Sequence, residues 1–199
     1  MARVQSGFPF RGSIEELPEG GVRAVQMKDA SPECGIEWRG VIRTQLPGRK
    51  APQWLQPDDL LFVSRGNRFY AVCVDTPPGP AVCSPHFFLL RVRPEAAVLP
   101  RFLAWYINQL PFQRQLQQGA EGSSQLSIRR PVLEALGIRV PGVADQQRIV
   151  ALVELARQER LALHQLIRNR ERQLEALAQE LASNTAPAPV QSAQPAIKK

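Results

Sequence analysis

Apolar positions in the first two thirds of the chain come as short runs bounded by turn residues. Val22 to Met27, Leu60 to Ser64, Phe69 to Val74 and His86 to Val92 are each rich in β-branched or aromatic residues and flanked by Pro, Gly or Asn, the pattern of strands. Gly66-Asn67 falls between two of these runs where a hairpin turn belongs. From Pro100, a permitted first-turn residue, the spacing changes to that of a helix carrying Phe102, Leu103, Trp105, Tyr106 and Leu110. Pro111 kinks or restarts it through Leu116. A second change comes at Asp145, a plausible N-cap behind Pro141-Gly142: from there to Ser183 there is no Gly and no Pro. Ile149, Val153, Ala156, Arg160, Leu163, Ile167, Arg170, Leu174, Leu177 and Leu181 recur at alternating steps of four and three. A 3.5-residue period held that long predicts a coiled-coil seam, since a helix packed on one globular core drifts away from it. At about 1.5 Å per residue such a helix reaches roughly 57 Å and needs a partner.

The fold class expected is therefore α+β: a mixed globular domain over residues 1–141, one long dimerisation or spacer helix over 142–183, and a tail over 184–199. The tail alternates Ala, Pro, Gln and Ser before two lysines, and its composition predicts disorder. A chain of 199 residues accommodates one such core. No run approaches the roughly 18–20 apolar residues of a membrane span, and no apolar segment follows the first residues as in a signal peptide, so a cytoplasmic protein is expected. Cys34, Cys73 and Cys83 are odd in number and lack CxxC spacing, which argues against a disulfide framework and a zinc cluster alike.

Charge sharpens this picture. Twenty-five Lys and Arg against 18 Asp and Glu give +7, and only Lys28, Lys50, Lys198 and Lys199 are lysines. The helix is balanced, so the excess lies on the globular part and is densest between Arg39 and Arg68. Arginine forks suit phosphates and guanine edges, although arginine excess also follows genomic base composition.

Catalytic patterns are missing from the sequence. His164 lies mid-helix near no cysteine or carboxylate cluster, His86 sits at a strand start, and Ser84, His86 and Asp75 lack the GxSxG elbow that would make them a nucleophile set. Pro57-Asp58-Asp59 resembles a nuclease opening without its later metal ligands, and there is neither a phosphate loop nor a dinucleotide fingerprint. The expectation is a non-catalytic chain that binds no cofactor or metal. Two loops have the donors to read DNA: Ser64-Arg65-Gly66-Asn67-Arg68, and Gly119 to Gln125 followed by Arg129-Arg130. The candidate DNA contacts are Arg43, Lys50, Arg65, Asn67, Arg68, Ser123, Ser124, Gln125, Arg129 and Arg130. Those for dimerisation are Ile149, Val153, Ala156, Leu163, Ile167, Leu174, Leu177 and Leu181.

Five segments, in order, also resemble a known family. Ser6-Gly7-Phe8-Pro9-Phe10-Arg11-Gly12-Ser13 is similar to the opening signature of a target recognition domain from the specificity (S) subunit of type I restriction-modification systems. Asp58 to Gly66 resembles that family's "GDILFSRRG"-like strand and turn, Pro100 to Ile107 its aromatic helix, and Gly122-Ser123-Ser124-Gln125-Leu126 its glycine-serine loop. Leu136 to Pro141 and then Asp145 to Val150 resemble the junction into its conserved helix. The resemblance implies a domain that reads half of a split double-stranded DNA target. It also implies a helix that packs antiparallel against another and docks adenine methyltransferase (M) subunits, with the restriction/translocase (R) subunit beyond them. S-adenosylmethionine would then sit on the methyltransferase. One recognition domain and one helix stand where the common subunit has two of each, which implies a half-length subunit that homodimerises or pairs with another half. The Trp-containing segment that usually precedes Ser6-Gly7 is missing, which fits a truncated gene or an alternative start, and Asp58 stands where the family usually has glycine. Two other classes fit the same residues: a stand-alone dimeric DNA-binding regulator or recognition module of another phage-defence system, and a structural coiled-coil adaptor that binds no DNA.

Overall fold

The computed structural model describes residues 1–48, 51–122 and 125–184. The chain is mixed α+β. Its strands are β1 (Ala2–Ser6), β2 (Val22–Val25), β3 (Ala30–Ser31), β4 (Gly35–Ile36), β5 (Arg43–Thr44), β6 (Leu60–Val63), β7 (Ala71–Cys73), β8 (Ala81–Cys83) and β9 (Phe87–Val92). The helices are α1 (Pro100–Ile107), α2 (Leu110–Gln118), α3 (Arg130–Ala135) and α4 (Val143–Asn184). Four strands form an antiparallel sheet in the order β1-β9-β6-β7, and three form a second sheet in the order β5-β2-β8, where β2 and β8 run parallel.

Strand β6 explains the layering. All four residues of Leu60-Leu61-Phe62-Val63 are buried, as happens when both faces of a strand are covered. Leu60 and Phe62 join Val4, Ala71 and Leu90 in a core closed by Phe102, Leu103 and Ile107 of α1 and by Phe112 and Leu116 of α2. Leu61 and Val63 alternate to the other face, where Val72, Phe87 and Leu89 meet Val25, Ala81 and Cys83 of the second sheet. The edge strand β7 is covered by a side chain: Asn108 Nδ2 donates to the Ala71 carbonyl at 2.8 Å, and its Oδ1 accepts from the Ala71 N–H at 2.9 Å. The amide thus replaces a neighbouring strand on an edge that would otherwise invite pairing.

The four expected strands and the break at Pro111 all appear, although each strand is as long as its expected run or shorter. Strands β1 and β8 were not anticipated. Ala2–Ser6 has an intermediate-exposed-buried alternation with arginine and glutamine on its outer positions, and Ala81–Cys83 is three residues long between Pro80 and Ser84-Pro85. Both become strands because partners wait for them, β9 and β2 respectively. Gly7, just past β1, must be glycine: a Cβ there would lie 2.0 Å from the Ser84 carbonyl oxygen. That approach lets the Phe8 N–H donate to the Cys83 carbonyl at 2.8 Å and stitches the two sheets together.

Asp145 is not the cap of the long helix. The helix begins at Val143, and the Gly142 carbonyl accepts the first bonds, from the N–H groups of Asp145 (3.0 Å) and Gln146 (3.1 Å). Asp145 sits in the first turn, where its charge favours the helix dipole and pairs with Arg148 at 3.2 Å. Gln146 is fully buried: its Oε1 accepts from the Leu99 N–H at 2.8 Å, and its Nε2 donates to the carbonyls of Ala97 and Pro141, both at 2.9 Å. Ile149, expected at a dimer seam, packs with Val150 against the core of its own domain instead, because this first stretch of helix is fastened there.

Two compact units divide within α4, Met1–Arg157 and Gln158–Lys199. The described part of the second unit is a single continuous helix whose side chains are exposed from Gln158 to Asn184. Residues 185–199, most of the expected tail, lie outside the described residues. Among the described residues no helix is long and apolar enough to cross a membrane.

Candidate nucleic-acid interface

The two loops singled out in the sequence lie about 60 residues apart, and the fold joins them. Leaving β6, the chain turns at Ser64, whose N–H and Oγ both donate to the His86 carbonyl, at 3.0 and 2.9 Å. This buried serine aims the next residues outward. Gly66, at φ +123°, takes a backbone conformation open to glycine and makes the tight reversal toward β7. Its N–H donates to the Leu126 carbonyl at 3.0 Å, and the Ile128 N–H donates to the Ser64 carbonyl at 2.8 Å. Arg65 bridges Ser127, and Ser127 exchanges backbone bonds with Glu121 at 2.8 and 3.0 Å. Residues 64–66, Glu121 and residues 126–128 are therefore joined in one short hydrogen-bonded ladder.

Exposed side chains stand around it. Arg65, Asn67, Arg68, Gln125 and Arg129 are all exposed, on or beside the joined loops. Arg68 approaches Glu33 at 3.7 Å, and Arg129 holds Glu121 at 2.7 Å. These are exposed surface pairs, which contribute little, about 0–1 kcal/mol. Arg130 starts α3 and is spent along it, on Glu134 at 2.8 Å. Beneath Arg68, Tyr70 donates its hydroxyl to the Ala30 carbonyl at 2.8 Å. Burial and the Glu33 carboxylate push its phenol above the ordinary value, while Arg68 opposes them.

Not every candidate gathers here. Arg43 belongs to β5 in the second sheet, where its Nε donates to the Gly20 carbonyl at 2.9 Å. Lys50, Ser123 and Ser124 lie outside the described residues. The sequence reading also missed what holds the platform in place. Asp59, seen there only as half of an acidic step, is buried, and both its oxygens accept from Arg91, at 2.6 and 2.7 Å, while Oδ2 also accepts from the Gln56 N–H at 2.8 Å. The pair ties β6 to β9, and the Asp59 hydrogen bond holds the Arg91 guanidinium above its usual range. A charged residue entering a fully apolar run was the signal available in the sequence.

Neither a scan against protein-family models nor a search of the curated proteins returns a match for this chain.

Proposed function

We propose that this chain is a sequence-specific DNA recognition subunit of the type I specificity class in half-length form, with a target-recognition-type domain that reads one half of a split target. The observation that carries the reading is the union of the two arginine- and amide-bearing loops into one exposed ladder. Arginine reads guanine O6 and N7, asparagine or glutamine reads adenine N6 and N7, and such donors act together only when a rigid scaffold presents them on one surface. The five motif resemblances support the same reading. Chemistry belongs to a partner adenine methyltransferase that carries S-adenosylmethionine, so this chain is non-catalytic and without its own cofactor, in a cytoplasmic phage-defence complex that the R subunit completes.

Dimerisation belongs to the same proposal. Leu163, Ile167, Leu174 and Leu177 are each more than half exposed, and covering one such side chain contributes about 1.5–3 kcal/mol. A second copy running antiparallel buries them, with Arg160 and Arg170 setting register against acidic residues such as Glu159 and Glu175. The test is duplex binding by the full chain at two salt concentrations, with Arg65→Ala and Arg68→Ala as variants. Expected are a steep salt dependence, relaxed specificity for a base-reading arginine at a cost of about 1–3 kcal/mol, and co-purification with an M subunit. Salt-dependent DNA binding without M capture would favour a stand-alone regulator. No duplex binding would leave only the adaptor.

A further inference from the structure

The second sheet has its own arginine cluster. Arg23 on β2 and Arg43 on β5 stand opposite each other in the antiparallel register, so two like charges face across neighbouring strands. Such an arrangement is destabilising unless something compensates it. Among the described residues neither guanidinium has a carboxylate within salt-bridge distance. Each is held by a backbone carbonyl instead: Arg23 Nη1 donates to Pro78 at 3.1 Å, and Arg43 Nε donates to Gly20 at 2.9 Å. Those bonds fix the forks and leave further donors on each one. A Cβ at Gly79 would come within 3.4 Å of Arg23 Nη1, so the turn is cut close to the guanidinium.

These arginines line a cleft of about 430 Å³ with Arg39, Trp38, Val41 and Glu16. Trp38 contributes more than a wall. Its indole Nε1 is buried and has no hydrogen-bond acceptor among the described residues, a cost that a native structure ordinarily avoids. Three cations and a tryptophan lining one cleft ask for an acceptor-rich anion joined to a flat or apolar group. Glu16 disfavours a bare, compact anion and suits a ligand with hydroxyl or amino donors. We propose that the cleft is a phosphate-ester site that takes the phosphate on the Arg23 and Arg43 forks and the attached sugar or base against Trp38. The ester is either a backbone phosphate of duplex DNA or a free nucleotide, and only the first source rests on the DNA reading above.

The full chain, labelled with 15N at its tryptophans, reports on this through the indole N–H signal of Trp38, assigned with Trp38→Phe. Three titrants are compared: sodium phosphate, adenosine 5′-monophosphate and a 20-base-pair duplex. The expected result is a saturable shift of the Trp38 signal with the nucleotide or the duplex, at concentrations at least tenfold below those needed for inorganic phosphate. Arg39→Ala, an exposed change, should weaken it several-fold without lowering Tm. The Arg23→Gln, Arg43→Gln double variant should weaken it at least tenfold and, by removing the opposed charges, should not lower Tm in the absence of ligand. If the double variant fails to fold, Arg39→Ala alone decides. A shift with duplex only identifies the DNA backbone as the source, and a shift with the mononucleotide only identifies a free nucleotide. The proposal is overturned if neither ester moves Trp38, if inorganic phosphate does as well as the esters, or if the shift is unchanged in Arg39→Ala. Duplex binding with no Trp38 shift by either ester sinks the cleft and spares the loop ladder, whereas a nucleotide shift with no duplex binding does the reverse.

Discussion

Asp58 carries the clearest strain at the scale of single residues. It is the one non-glycine among the described residues with a positive φ, +66°, and it stands at the position where the resembled family usually has glycine. The left-handed region costs an L-residue about 1 kcal/mol or more, less for aspartate than for most. Asp58→Gly should therefore raise stability by about 0.5 kcal/mol, visible as a higher urea midpoint at unchanged slope. The cysteines give a pH test. Burial, the largest cause, pushes the Cys73 and Cys83 thiols up to about 12. A thiol whose folded value lies above its unfolded one contributes stability that is present below the unfolded value, roughly 8.5, and is lost as pH rises toward the folded one. Tm should thus fall between pH 9 and pH 11, and Cys73→Ala should flatten part of that fall. At pH 8 iodoacetamide should alkylate these two thiols in the native chain slower than a free cysteine by about three orders of magnitude, since the thiolate is the nucleophile. Equal rates would contradict their burial.

At the scale of elements, Gln146 decides where the long helix is anchored. One side chain satisfies the Leu99 N–H at the start of α1 and two carbonyls on either side of the junction. Gln146→Leu keeps comparable volume but strips those groups of their partner, at about 1–3 kcal/mol for each one left unsatisfied. A loss of about 3 kcal/mol or more is expected from chemical denaturation; a loss below about 0.5 kcal/mol would mean that the junction is held by Ile149 and Val150 alone. The rest of the helix responds differently. Leu174 is 60% exposed in the single chain, so Leu174→Asp should leave the unfolding of the N-terminal domain unchanged. If the stripe is a dimer seam, the same change should convert a dimer to a monomer in light scattering. A wild-type monomer at micromolar concentration would rule the seam out.

For the whole molecule, symmetry turns the proposed dimer into a statement about its target. Two identical recognition domains related by a two-fold axis read the same half-site on opposite strands, so the target should be an interrupted palindrome. Gln158–Asn184, the helix beyond the first compact unit, spans roughly 40 Å at about 1.5 Å per residue, equivalent to about 12 base pairs at 3.4 Å each. Deleting one heptad from this segment should change or abolish the preferred spacing. Mapping of methylated adenine in strains with and without the gene checks both points: an asymmetric split site would mean that two different half-subunits are paired.

The sequence by itself determined what depends on local pattern. The short apolar runs of β6 and β9, the proline starts of α1 and α2, and the glycine- and proline-free helix were legible because each reflects the geometry of neighbouring residues. The two candidate loops were legible too, one by one, from their donors. Only the tertiary structure decided what depends on residues far apart in the chain. It joined 64–66 to Glu121 and 126–128, set Arg43 in the second sheet opposite Arg23, made strands of Ala2–Ser6 and Ala81–Cys83, and fastened Ile149 to its own domain. The physical reason is the same in each case. A short segment with weak intrinsic preference takes its conformation from the backbone partner that happens to reach it, and a side chain's role follows from which groups burial leaves beside it.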